Sequence, residues 1–211
     1  TVLVTGGAKG VGAAIVRALA AAGHDIDFTY RSSAAQAEAL AAEIAADYPG
    51  RAIRALPLDL ADKDNVEAFC TEIEETTYYG YVHNAGQSYD VLAAMMAQDK
   101  AEAIMQVNFF SMTRIVKAVV RSMMRARTGR IVGIGSVAAL EGNQGNAAYA
   151  ATKGAMLSYV RTLAVETAKR GITVNYVAPG FIDTDMLAPY ANYREQMQKQ
   201  IPPGRFARPE D

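Results

Sequence analysis

The chain has 211 residues, enough for one domain with a substantial core. Hydrophobic residues make up 51% and charged ones 20%, the balance of a globular protein, and a net charge of −1 gives no electrostatic basis for general nucleic-acid binding. Two histidines and a single cysteine, Cys70, exclude an intrachain disulfide framework and argue against a zinc site, so no metal is expected.

No apolar run approaches the ~20 residues of a membrane span and no signal peptide is visible, so a cytoplasmic, reducing setting is expected. The chain opens inside an apolar run, Thr1–Thr5, and stops at Arg208-Pro-Glu-Asp211, a helix-start pattern with nothing after it, which suggests a clipped chain. Strands are predicted at Val2–Val4, Ile26–Tyr30, Ala52–Leu58, Tyr81–His83, Arg130–Gly135 and Thr173–Val177. Helices are predicted near 11–22, 34–47, 63–75, 99–126, 148–170 and 190–200. This alternation implies an α/β fold: a single doubly wound parallel sheet, Rossmann-like, with helices on both faces. Ligands of such a sheet bind at the carboxyl ends of its strands.

The first strand runs into Thr5-Gly6-Gly7-Ala8-Lys9-Gly10-Val11-Gly12 and then an alanine-rich helix. Gly6, Gly10 and Gly12 permit a tight turn, close backbone approach to a ligand, and close helix–strand packing, with the helix N-terminus facing a phosphate. Further on, Tyr149 and Lys153 stand four apart on a predicted helix and so share one face, with Cβ atoms roughly 5–6 Å apart. An ammonium beside a phenol favours the phenolate, so Lys153 is expected to pull the Tyr149 pKa down from about 10, with help from a second positive group. Such a tyrosine can donate a proton to a carbonyl oxygen as that oxygen gains charge.

The Gly-x-x-x-Gly-x-Gly loop and the Tyr-x-x-x-Lys pair together resemble the short-chain dehydrogenase/reductase family, and the resemblance covers essentially the whole chain. Further motifs match in order. Asp59-Leu60 follows the third strand, where the family contacts the adenine ring. His83-Asn84-Ala85-Gly86 matches the family's Asn-Asn-Ala-Gly, with His83 in place of the first asparagine. Pro179-Gly180-Phe181-Ile182-Asp183-Thr184 follows the sixth strand, where the family's threonine holds the nicotinamide carboxamide. Asn108 matches an asparagine that organises a proton-relaying water, and Ser136, at a strand end, can donate to the same carbonyl oxygen as Tyr149. Lys153 then also holds the nicotinamide ribose, and the oxidised nicotinamide adds positive charge.

A ribose 2′-hydroxyl is recognised by an acidic residue after the second strand, and a 2′-phosphate needs basic ones. Here Thr29-Tyr30-Arg31-Ser32-Ser33 carries no carboxylate. Lys9 and Arg31, with Ser32 as an extra donor, look like a 2′-phosphate clamp, so NADPH is expected over NADH.

The closer resemblance is to bacterial 3-oxoacyl-[acyl-carrier-protein] reductases, carried by Gly129–Ser136, Gly142–Asn146, Arg170–Asn175, Ala178–Met186 and Ile201–Glu210. It implies NADPH-dependent reduction of a 3-oxoacyl thioester and an acidic acyl carrier protein as partner, met by cations at the pocket mouth, with Arg127 and Arg170 matching the docking arginines. It also implies a homotetramer and a further strand and glycine-rich C-terminus beyond Asp211. The alternatives are an acetoacetyl-CoA or general NADPH-dependent ketone reductase, and a non-catalytic NADP(H)-binding partner.

Overall fold

The computed structural model describes residues 1–211. Its strands are β1 (Val2–Thr5), β2 (Ile26–Tyr30), β3 (Ile53–Pro57), β4 (Gly80–His83), β5 (Gly129–Ile134) and β6 (Ile172–Val177), all parallel, in the order β3-β2-β1-β4-β5-β6. This is the doubly wound Rossmann order, with the reversal between β1 and β4. The helices are α1 (Gly10–Ala21), α2 (Ala34–Asp47), α3 (Lys63–Ile73), α4 (Gln98–Met105), α5 (Ser111–Ala126), α6 (Ala147–Thr167) and a short α7 (Arg194–Gln198).

The period of two in β1 separates the two cores. Val2 and Val4 pack with Val16 and Ala20 of α1 and Leu40 of α2 on one face. Leu3 points to the other face, where it joins Phe69 of α3, Ile115 and Val119 of α5 and Met156 of α6. Asp62 caps α3 by accepting from the N–H groups of Asp64 and Asn65. That helix buries Val66, Phe69, Cys70 and Ile73, an i, i+3, i+4, i+7 stripe. Burial pushes the Cys70 thiol up to about 11, so it is an inert core residue.

Two predicted helices are not what forms. The uninterrupted helix over 99–126 is broken by a π turn, Gln106–Phe110, between α4 and α5. The 29-residue stretch Gln98–Ala126 is long and apolar enough to cross a membrane, contrary to the absence expected from sequence, but 56% of its most apolar window is buried inside the protein. The helix expected over 190–200 is replaced by 3₁₀ turns at Asp185–Tyr193 followed by α7. The chain leaves helical geometry at Tyr190 (φ −104, ψ 17), directly after Pro189. This segment forms a flap over the strand ends, tied at its base by the Asp183 N–H donating to Ala207 O at 2.8 Å.

His83, at the end of β4, is fully buried and fully bonded. Its Nε2 lies 3.1 Å from the Asn108 carbonyl oxygen in the π turn. A carbonyl only accepts, so Nε2 carries the proton and Nδ1 accepts from the Tyr81 hydroxyl at 2.8 Å, with Thr5 Oγ1 at 3.3 Å. His83, at the position of the expected asparagine, therefore offers a donor to the π turn.

Burial, and then the charge of Lys153, push the His83 pKa from 6.5 to about 3. A lowered pKa in the folded state means that stability is fully present above about pH 6.5 and lost as pH falls towards 3, because the unfolded imidazole binds the proton first. We expect the thermal midpoint to fall through this range, and His83→Asn to flatten that fall. Scanning calorimetry of both proteins in matched buffers checks it; parallel pH dependences would refute the assignment.

Candidate active site

The glycine loop folds back on β4. Gly6 has a φ of +67 and its N–H donates to Thr29 Oγ1 at 3.2 Å. A methyl at Gly12 would overlap the Gly6 carbonyl oxygen, so only glycine allows α1 to start this close to the turn. Asn84 donates through Nδ2 to Thr5 O at 3.1 Å and Gly6 O at 3.0 Å. Thr5 Oγ1 in turn accepts from the N–H groups of Asn84 and Ala85 at 3.1 and 3.3 Å. These bonds set the loop conformation that leaves Gly10 (φ +56) and Val11 at the N-terminus of α1, pointing towards the sheet's carboxyl edge.

The other expected cofactor residues divide into groups. Tyr30 is partly buried at the end of β2, with Arg31 and Ser32 exposed just beyond it. Lys9 is directed to the flap, its Nζ 3.5 Å from Asp185 Oδ2 in an exposed pair. The Asp59 carboxylate accepts from the Ala61 N–H at 3.0 Å. Leu60 is core, and its carbonyl accepts from Gln106 Nε2 at 3.0 Å, so it has only backbone to offer a ligand. Pro179 O accepts from the Val137 N–H at 3.0 Å, which joins the loops after β5 and β6. Gly180 and Ile182 follow, and the Thr184 methyl lies 3.4 Å from where a Cβ at Gly10 would sit, so this loop closes over the glycine turn.

Ser136, Tyr149, Lys153 and Asn108 converge beside that turn. Ser136 is extended (φ −168, ψ 152), and its Oγ accepts from the Ala138 N–H at 3.1 Å. Lys153 is 3% exposed, and its ammonium donates to Ile134 O at 2.8 Å and lies 5.6 Å from the Tyr149 ring centre. A Cβ at Gly86 would be 3.3 Å from Asn108 Oδ1 and 3.5 Å from Lys153 Nζ, so both groups flank one point beside this glycine. Asn108 is fully buried in the π turn rather than in a regular helix. Its Nδ2 donates to Gln87 O and to Thr152 Oγ1, both at 2.9 Å, and its Oδ1 accepts from the Gln87 N–H at 2.8 Å. Thr152 passes the connection on by donating to Tyr149 O at 2.8 Å.

Burial comes first in the electrostatics of the pair. The Tyr149 pKa is raised, first by burial, with Tyr176 and Asp90 adding to it and a hydrogen bond from Ser136 opposing it. Burial lowers the Lys153 pKa to about 8, and its ammonium donates to Ile134 O. Tyr149 is thus a neutral phenol at pH 7, the form able to give up a proton.

Two features escaped the sequence. Asp90, in the loop after β4, accepts from Asn146 Nδ2 at 2.9 Å and from the Tyr190 hydroxyl of the flap, so one carboxylate ties three loops. Tyr176 of β6 bonds to the backbones of both Ser136 and Lys153. Arg127 and Arg170 stand elsewhere on this chain. Both precede strands, so they lie together at the sheet's amino edge, not at the pocket mouth; six residues of β5 separate that edge from the site, roughly 20 Å. Arg127 ends α5 in a left-handed conformation (φ 54) and donates to Lys169 O at 3.1 Å.

The family model described as short chain dehydrogenase matches residues 1–195. The 3-oxoacyl-[acyl-carrier-protein] reductase FabG of Escherichia coli is 39% identical over 209 residues, covering 97% of this chain and 82% of the relative. That of Vibrio cholerae is 37% identical over 214 residues, covering 99% and 84%. A solved structure assigned as an NAD(P)-dependent gluconate 5-dehydrogenase from Beutenbergia cavernae, with bound NADP, superposes with a TM-score of 0.92 at 31% identity, covering 99% of this chain and 84% of that one. With a matching sheet order, glycine turn and converging Ser136, Tyr149 and Lys153, this chain belongs to the short chain dehydrogenase family and is an oxidoreductase.

Proposed function

We propose that this protein uses NADPH to reduce the C3 ketone of 3-oxoacyl thioesters borne on acyl carrier protein, as a step of fatty-acid or related polyketide or polyene synthesis. The observation that carries the reading is the meeting of a neutral Tyr149, Ser136 and buried Lys153 beside a glycine turn whose neighbouring strand ends without a carboxylate. The substrate class is supported by the names of the FabG relatives.

The residues present fit a dinucleotide: Gly6 and Gly12 let the turn fold tightly against the start of α1, and Gly86 keeps the space beside Asn108 and Lys153 small-sided. Gly10, Val11 and Gly12 would face the diphosphate, Lys9, Arg31 and Ser32 the 2′-phosphate, and Lys153 the nicotinamide ribose, with Thr184 at the carboxamide. When bound, NADPH supplies the hydride. Ser136 and Tyr149 both donate to the substrate's ketone oxygen, and Tyr149 transfers its proton as charge develops there. Lys153 then stabilises the phenolate left behind, and Asn108 orders the surroundings through which a proton returns. The carbon gains hydride, the oxygen gains the Tyr149 proton, and solvent reprotonates the phenol.

Arg127 and Arg170 are the proposed carrier contacts, but their place at the far edge of the sheet favours one alternative, a reductase of acyl-CoA thioesters that needs no carrier. A homotetramer accompanies the main reading, supported by Phe110 at 45% and Val165 at 80% exposure on outward faces of the π turn and α6.

Tyr149→Phe should lower turnover by about 10²–10⁴ while NADPH still binds, measured by steady-state kinetics and fluorescence titration. Retained turnover would sink the mechanism. Arg31→Ala should raise KM for NADPH about tenfold and leave that for NADH unchanged, a loss of charge-assisted contact to phosphate. Equal effects on both cofactors would remove Arg31 from the clamp. Arg127→Glu with Arg170→Glu should raise KM for acetoacetyl-ACP and leave acetoacetyl-CoA unaffected. Indifference with both substrates would favour the carrier-independent alternative.

A further inference from the structure

The end of β5 has to present Ser136 towards Tyr149 while β5 itself is pinned to β6. In the register, Gly133 stands opposite Tyr176 and Ile134 opposite Val177, and the Gly135 N–H continues the pairing with Val177 O at 2.7 Å. Tyr176 leans across this end. Its ring occupies the space over Gly135, where any Cβ would overlap it. Its hydroxyl oxygen accepts from the Ser136 N–H at 3.0 Å. Its proton faces two carbonyls, Ser136 O and Lys153 O, each 3.3 Å away.

The phenol is therefore the meeting point of a strand end and a helix. Lys153 O lies inside α6, where one lone pair serves the helix and a second remains for Tyr176. The Ser136 N–H has the phenol oxygen as its bonded acceptor, which fixes the backbone from which its Oγ projects. Burial raises the Tyr176 pKa, so the hydroxyl keeps its proton and can donate and accept at once. None of these contacts reaches the reacting atoms. They act on the separation and orientation of Ser136 relative to α6, the helix that carries Tyr149 and Lys153.

We infer that Tyr176 is a positioning residue of the reductase site: through its hydroxyl it clamps the backbone of Ser136 to that of Lys153, in a slot opened by Gly135. The inference rests on the proposed roles of Ser136, Tyr149 and Lys153. A misplacement of about 1 Å at a hydrogen-bond donor is enough to cost catalysis heavily, so the clamp's effect should appear in turnover rather than in cofactor binding.

The test is a double-mutant cycle in the full chain with NADPH and acetoacetyl-CoA as probe. Tyr176→Phe keeps the ring in the Gly135 slot and removes only the hydroxyl. It should lower kcat about tenfold, with KM for NADPH unchanged within about twofold. Ser136→Ala alone should lose more, and adding Tyr176→Phe to it should cost less than about twofold further, because the donor being positioned is gone. Wild-type kcat in Tyr176→Phe, or a full tenfold loss in the Ser136→Ala background, would overturn the clamp while leaving the reductase reading intact. A wild-type protein inactive on 3-oxoacyl thioesters, or an unimpaired Ser136→Ala, would overturn both.

Discussion

A buried carboxamide must have every one of its hydrogen-bonding groups answered, and Asn108 meets that demand by joining parts of the chain that have no other reason to be rigid. It takes both polar groups of Gln87 in the loop after β4 and the hydroxyl of Thr152 on α6. Its own carbonyl is answered by His83 from the end of β4. The loop, the helix interruption and the helix carrying Tyr149 and Lys153 are thereby held to one point. An unanswered amide there would cost about 1–3 kcal/mol, a large fraction of a typical domain's stability. The π turn brings this side chain into the site; a regular helix would carry it to a different angle.

Burial also decides the charges. Enclosure raises Tyr149 and lowers Lys153, so the phenol stays protonated and the ammonium sits close to losing its proton. The pair is poised by what surrounds it more than by mutual attraction. A helix spacing of four reports that two side chains share a face and carries no information about how dry that face is, so the burial that raises Tyr149 was not legible in the sequence.

The same distinction runs through the whole chain. Strands and a doubly wound parallel sheet were legible because apolar runs alternate with helical periods, and the glycine turn because Gly6, Gly10 and Gly12 have few other reasons to stand together. What was hidden lies between residues far apart in sequence: Tyr176 with Ser136, 40 positions away, and Tyr190 with Asp90, 100 away. The π turn was hidden for another reason, since one extra residue shifts an apolar pattern too little to see. Lys9 shows the converse limit: its place in the turn was legible, but its pairing with Asp185 depends on where the flap comes to rest.

Cys70 has a practical corollary. It is the chain's only cysteine, shut into the core between α3 and the sheet, with its thiol held in the unreactive form. The protein is thus silent towards thiol reagents while folded. A cysteine placed on the flap, for instance at the 60% exposed Tyr193, would be the one group that a fluorophore or spin label finds. The surroundings of the segment tied by Asp90 can then be followed without first removing a native residue.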